Sequence, residues 1–247
     1  MTTPEPPHFL EREDGPRLAY RLRDGRAPAI LFLPGYPSDM LGSKATALDQ
    51  WAARTGRAML RFDYSGTGES EGDAQAATLA RFRDDALAMI DASEGDLVLV
   101  GSSAGGWLML LLAVARPDRV RALLGLAAAP DFSDWGFTQD EKMVILREGR
   151  LEKPTPHGEP EVMTRAFWQS AEALRLLHAP IAFDGPVRLI HGEADRSVPA
   201  SVSARIAQLV RSADVQTILV KDGDHRLSRP QDIALLTRTL DALMESL

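Results

Sequence analysis

Short runs dominated by apolar residues alternate along this chain with stretches of amphipathic character. Ala29 to Leu33, Ala58 to Phe62, Leu97 to Val100, Val120 to Leu126, Val187 to His191 and Val215 to Val220 are runs of this kind. They read as strands covered on both faces, as in a parallel sheet, because one exposed face would impose polar alternation. Arg17 to Leu22 does alternate, with Leu18, Tyr20 and Leu22 on one face and a turn at Asp24-Gly25, and reads as an edge strand. Between the runs, Lys44 to Thr55 repeats apolar residues at helical spacing (Ala47, Leu48, Trp51), and so does Thr78 to Ala92 (Leu79, Phe82, Ala86, Leu87, Ile90). The apolar stretch Trp107 to Ala115 reads as a helix stopped at Arg116-Pro117-Asp118; Ala200 to Val210 and Ile233 to Leu243 are further amphipathic helices. Strands alternating with helices predict an α/β fold, a mostly parallel sheet with helices on both faces.

One segment breaks the rhythm. Residues 131–180 separate two strands and carry Trp135, Phe137, Met143, Phe167 and Trp168. A structureless loop of that length is unusual in a compact domain, so the segment reads as a short helical insertion, a cap folding over the strand ends. Pro154, Pro156 and Pro160 mark a bend within it, and residues 1–15 read as a frayed lead-in. No repeat or low-complexity tract interrupts the chain, and its 247 residues suit a single domain, 1–247, carrying the inserted cap.

Charge and cysteine content narrow the chemistry. The net charge is −7, from 28 basic and 35 acidic residues, and no Lys/Arg-rich run offers a footprint for nucleic acid. The absence of cysteine excludes disulfides, thiolate metal sites and cysteine nucleophiles. The longest apolar run is far short of a membrane span, and the N-terminal MTTPEPPHFLERED lacks the apolar core of a signal peptide. The expectation is a cytoplasmic protein without membrane insertion.

Leu97 to Ala115, LVLVGSSAGGWLMLLLAVA, joins a strand, a tight turn and an apolar helix. In that setting Gly101-x-Ser103-x-Gly105 describes a nucleophile elbow, whose small residues are a steric requirement of the strained turn. A dinucleotide fingerprint fits less well, because Ser103 stands where its second glycine must admit a pyrophosphate. A serine hydroxyl needs a base within hydrogen-bond reach. Of the five histidines, His8 lies in the lead-in, His157 and His178 in the cap, and His191 at a strand end reads as structural. His225 follows the last strand in a polar loop at the carboxyl edge of the sheet, where catalytic groups gather, and is the candidate base. The acid to orient it is Asp195, in the loop after the preceding strand, with Asp131 as the standby; Asp224 is too close in the chain to turn back to the ring. The order Ser103, Asp195, His225 is that of α/β-hydrolases and differs from chymotrypsin and subtilisin. An oxyanion hole would draw one N–H from Ala104 and one from Tyr36, in the loop Pro34-Gly35-Tyr36-Pro37-Ser38. Trp135, Phe137 and Trp168 could line an apolar acyl pocket or simply pack the cap. A reaction of this kind requires no cofactor and no metal.

The blocks Phe32 to Met40, Arg61-Phe62-Asp63-Tyr64-Ser65-Gly66-Thr67-Gly68-Glu69-Ser70 and Val100 to Met109 go further. With His191-Gly192, Asp195, Val198-Pro199 and Asp224-His225-Arg226, they resemble the small α/β-hydrolases typified by the mitochondrial abhydrolase-domain acyl-protein thioesterase and acyl-glucuronide esterase family. The resemblance runs from about Ala29 onward and is weakest in the cap. It implies a serine hydrolase acting on small-molecule or acylated substrates, esters or thioesters, with Ser103, Asp195 and His225 as the triad, in a bacterial-type member. A lyase or C–C bond hydrolase could run on the same triad, and a ligand-binding protein on the same scaffold. Turnover of cyanohydrins or dienoic diketones would mark the former, and tight binding unchanged by Ser103→Ala the latter. Aspartate at the nucleophile position would have indicated a haloalkane dehalogenase.

Overall fold

A computed structural model describes residues 6–155 and 158–247 of the chain. Eight strands build one sheet: β1 (His8–Leu10), β2 (Leu18–Arg23), β3 (Arg26–Leu33), β4 (Arg57–Phe62), β5 (Leu97–Ser102), β6 (Val120–Leu126), β9 (Val187–Gly192) and β10 (Val215–Val220), in the order β1-β2-β4-β3-β5-β6-β9-β10. Every pairing from β4 to β10 is parallel, while β1 and β2 are antiparallel to their neighbours. The central apolar runs behave as strands buried on both faces should, whereas β10, at the edge of the sheet, has no buried residue and leaves Leu219 exposed. Leu31 and Leu33 of β3, with Leu97 and Leu99 of β5, enter one core; Ile30 and Phe32, with Val98 and Val100, enter the other. The first core is covered by α2 (Leu79–Ala92) and α3 (Ala104–Ala115), the second by α1 (Ser43–Thr55) and α8 (Pro230–Glu245); α7 (Ser201–Leu209) packs on β9 and β10. Trp107 of α3 is fully buried and its indole N–H donates to Leu174 O at 3.1 Å, which ties the helix to the end of the cap. Among the described residues no helix is long and apolar enough to cross a membrane.

The chain leaves β3 through α1 to reach β4 on one side, then crosses back through α2 to β5 on the other. The strand order therefore reverses between β3 and β5, and crevices outside the carboxyl ends of strands at such a reversal are where open α/β sheets bind ligands.

The structure departs from the sequence reading at three further places. β2 is not the edge of the sheet, because β1 pairs along its outer side. His8–Leu10 is a strand rather than frayed chain, and just beyond it Arg12 Nη1 donates to Asp85 Oδ1 at 2.8 Å while Nη2 donates to Ser65 Oγ at 3.1 Å. Buried ion pairing to α2 holds what three short backbone pairings alone would not. The segment between β6 and β9 is also not purely helical. It contains α4 (Phe132–Trp135), α5 (Gln139–Glu148), a hairpin of β7 (Arg150–Thr155) and β8 (Gly158–Thr164), and α6 (Arg165–Glu172). Pro154 and Pro160 lie within the hairpin strands rather than in a bend, and Pro156 falls outside the described residues. A two-stranded ribbon has an unpaired edge on each strand, so proline is tolerated there.

Candidate active site

The site begins with a strained residue. Ser103, between β5 and α3, has φ 54° and ψ −120°, a conformation that costs about 1–3 kcal/mol for a residue with a side chain. Backbone from the next turn and from β6 holds it there: Ser103 N–H donates to Leu126 O at 3.0 Å, and Ser103 O accepts from Gly106 N at 2.8 Å and Ala129 N at 3.0 Å. The flanking glycines are there because the chain comes too close for anything larger. A Cβ on Gly105 would lie 2.1 Å from Leu33 O, and one on Gly101 2.5 Å from Gly105 O.

His225 reaches this serine from the loop after β10. Its Nε2 is 3.0 Å from Ser103 Oγ and its Nδ1 2.8 Å from Asp195 Oδ2. A carboxylate only accepts, so Nδ1 carries the ring proton and Nε2 is left to accept from the serine hydroxyl. The Asp195 side chain is 0 % exposed, the His225 side chain 28 %. The parallel pairing of β9 and β10 explains how the two residues meet: it sets Gly192 beside Val220, so both loops leave the sheet at one level. Ala194 N–H donating to Gly223 O at 3.0 Å then ties the loops together.

Asp195 is fixed from several sides. Its Oδ1 accepts the backbone N–H groups of Ser197 at 2.8 Å and Val198 at 2.9 Å. His191, with a fully buried side chain, sets Nε2 3.3 Å from Asp195 Oδ2 and 3.0 Å from Val198 O, while its Nδ1 is 2.7 Å from Ser203 Oγ. Burial pushes the Asp195 carboxyl up, but hydrogen bonds from His191, His225 and the Val198 N–H outweigh it and hold the group well below the usual carboxylate range.

Asp131 is engaged elsewhere. Its two oxygens accept the N–H groups of Leu176 and Leu177 at 2.8 Å each, where the cap returns to the sheet. Asp224 Oδ1 accepts Leu227 N–H at 3.0 Å within its own turn. Ala104 opens α3, and the first N–H groups of a helix have no acceptor within it. The Tyr36 loop lies against the elbow: a Cβ on Gly35 would be 3.0 Å from that of Ser103. The Tyr36 ring packs against Phe82 and Phe167, with centroids 6.1 and 5.7 Å apart.

A cavity of about 260 Å³ opens beside Ser103 and His225, bounded also by Tyr36, Ser38, Lys44 and Arg226. Trp135, Phe137 and Trp168 do not line it. Trp135 donates its indole N–H to Pro130 O at 2.9 Å, Trp168 to Ser133 O at 3.0 Å, and the Phe137 ring lies under Lys153 Nζ at 4.6 Å. The half-buried indoles take backbone acceptors and so serve the packing of the cap. Lys44 was not visible as a site residue in the sequence, where it is one base at the start of an amphipathic helix; Arg226 adjoins His225, its only signal. Lys44 Nζ donates to Arg226 O at 2.5 Å. Burial, then the Arg226 charge, lowers its pKa against the pull of Asp224 and Asp232. Among the described residues no three His, Cys, Asp or Glu side chains are grouped to hold a metal ion.

The sheet order and the helices on its two faces are those of an α/β-hydrolase, and relatives give the same answer. Residues 55–246 match the prolyl oligopeptidase family. Human mitochondrial palmitoyl-protein thioesterase ABHD10 is 43% identical over 245 residues, which cover 97% of this chain and 80% of that protein. The solved structure of α/β hydrolase domain-containing protein 10 from mouse superposes with a TM-score of 0.92 at 40% identity, covering 97% of this chain and 98% of that one. A putative hydrolase from Agrobacterium vitis S4 gives a TM-score of 0.90 at 33% identity over 98% and 99% of the two chains. The chain belongs to the α/β-hydrolase family that includes ABHD10, and it is a hydrolase of the esterase and thioesterase type.

Proposed function

We propose that Ser103, His225 and Asp195 form a catalytic triad that cleaves carboxylic esters or thioesters through an acyl-enzyme. The observation that carries this reading is the unbroken line of hydrogen bonds from Ser103 Oγ through both ring nitrogens of His225 to a buried carboxylate. His225 Nε2 takes the hydroxyl proton as Ser103 Oγ adds to the carbonyl, and Asp195 stabilises the imidazolium. The oxyanion is held by the N–H groups of Ala104 and Tyr36. As the tetrahedral adduct collapses, His225 gives its proton to the departing alkoxide or thiolate, and the acyl group stays on Ser103. Water, deprotonated by the same imidazole, then repeats the addition and releases the acid. The name of ABHD10 supports thioesters, including acylated proteins, as the substrates to test first.

Fluorophosphonate labelling followed by an acyl-length series of esters and thioesters tests the proposal. Wild type labels on Ser103 and turns over acyl substrates, while Ser103→Ala does neither. An unlabelled wild type, or labelling that survives Ser103→Ala, overturns the assignment of the nucleophile.

A further inference from the structure

A second imidazole meets the acid of the candidate triad. We propose that His191 is a positioning residue for this site, donating its Nε2–H to the same Asp195 oxygen that His225 engages. The inference rests on the triad reading and adds a group to it.

The proton can be placed by elimination. His191 Nε2 faces Val198 O at 3.0 Å and Asp195 Oδ2 at 3.3 Å, and both are acceptors. Nε2 therefore carries a hydrogen, which has Val198 O as its nearer acceptor and Asp195 Oδ2 within reach. Nδ1 then accepts the hydroxyl hydrogen of Ser203, 2.7 Å away on α7. The side chains of His191 and Asp195 are both 0 % exposed, so no water competes for the carboxylate from this side. The result is a relay from α7 through β9 to the acid loop and on to the loop of His225. Two consequences follow for Asp195. The donor fixes the rotation of the carboxylate, and it withdraws charge from the oxygen that must balance His225 when the ring is protonated. A carboxylate without that donor is a stronger base and holds the His225 imidazolium more tightly.

Other charges surround the pair. Glu193 and Arg196 flank Asp195 in its loop, Asp224 and Arg226 flank His225, and Lys44 on α1 borders the same cavity. Substitution at His191 leaves all of them in place.

The test is the pH profile of kcat/KM for a chromogenic ester, with His191→Gln and His191→Asn compared to wild type. The longer amide can bring a donor to the place of Nε2; the shorter one reaches Ser203 but not Asp195. The expected result is an acid limb displaced to higher pH by about half a unit in His191→Asn, with kcat falling more than KM changes. His191→Gln keeps the wild-type limb. A residue that merely filled space would lower stability in both variants and leave the limb where it was. An unmoved limb in folded His191→Asn overturns the proposal whatever happens to kcat. Should that variant fail to fold, the ¹⁵N shifts of the wild-type ring decide: a bare Nε2 with the hydrogen on Nδ1 refutes the donor role. Fluorophosphonate labelling separates the two readings. Unlabelled wild type removes the triad, whereas labelled wild type with an unmoved limb removes only the part given to His191.

Discussion

Replacing Asp131 by alanine separates its structural work from the chemistry that the triad reading gives to Asp195. Asp131 is 3% exposed, and its carboxylate accepts the N–H groups of Leu176 and Leu177, both at 2.8 Å. Its neighbour Arg175 keeps a closer acid partner in Asp134 at 2.6 Å. The change therefore strands two backbone donors, at about 1–3 kcal/mol each. It also leaves alanine at a φ of 57°, a left-handed conformation that costs roughly 1–2 kcal/mol. The expected loss is about 3–8 kcal/mol, or roughly 6–32 °C in Tm at 2–4 °C per kcal/mol for a chain of this size. Asp131→Asn tolerates the left-handed backbone and keeps one acceptor oxygen, so its loss is smaller, about 1–3 kcal/mol. Urea melts give the stability, and ester turnover well below the melting temperature gives the activity per folded molecule, which stays within a few fold of wild type. A folded Asp131→Asn protein with turnover down a thousandfold would refute the reasoning and move the acid from Asp195 to Asp131. An unchanged melt would refute the clamp.

Asp195→Ala, by the triad reading, lowers kcat on a chromogenic ester by about 10⁴ while the protein still melts cooperatively. The depressed pKa of Asp195 in the fold makes its contribution to stability complete above the ordinary carboxylate range and progressively lost as acid is added below about pH 5. Urea midpoints taken from pH 7 to pH 3 accordingly fall further for wild type than for Asp195→Asn. Gly105→Ala sets a Cβ 2.1 Å from Leu33 O and 2.6 Å from Pro34 O. It lowers Tm, with an overpacking cost of about 1–3 kcal/mol, and abolishes fluorophosphonate labelling; a fully labelled, wild-type-stable variant would show that the loops can part.

Much of this arrangement is readable in the chain because it rests on crowding. The β3 and β5 runs have no polar alternation because both faces are covered, and the elbow advertises itself because only glycine fits beside Leu33 O and Gly105 O. The choice between Asp195 and Asp131 is harder to read, since each follows a strand. Pairing settles their geometry: β9 and β10 are neighbours in parallel register, so the Asp195 and His225 loops emerge together, whereas Asp131 leaves β6 toward the cap. The β7–β8 hairpin is hidden because its strands, RLEKPT and GEPEVMT, are charged and carry proline, which is the composition of a loop. β1 is hidden because three residues are too few for a period, and its neighbourhood is pinned by the Arg12–Asp85 pair from across the sequence. Lys44 belongs to the cavity only through the path of α1 past the Tyr36 loop, a tertiary fact without a local mark.

The strain at Ser103 also bears on the order of folding events. Beyond the local bond from Gly106, the groups that hold its backbone come from Leu126 and Ala129 downstream, and the wall behind Gly105 comes from Leu33 upstream. Leu126, Ala129 and Leu33 are not local in sequence, so β3, β5 and β6 must already lie side by side before the turn can close. Until then, by the triad reading, Ser103 is an ordinary serine in a glycine-rich segment, with neither its base nor its attitude toward a carbonyl. Reactivity arrives with long-range assembly rather than with local structure. On the same reading, capture of a fluorophosphonate during refolding marks the moment the central sheet has formed, and a nascent chain would carry no active nucleophile while it waits.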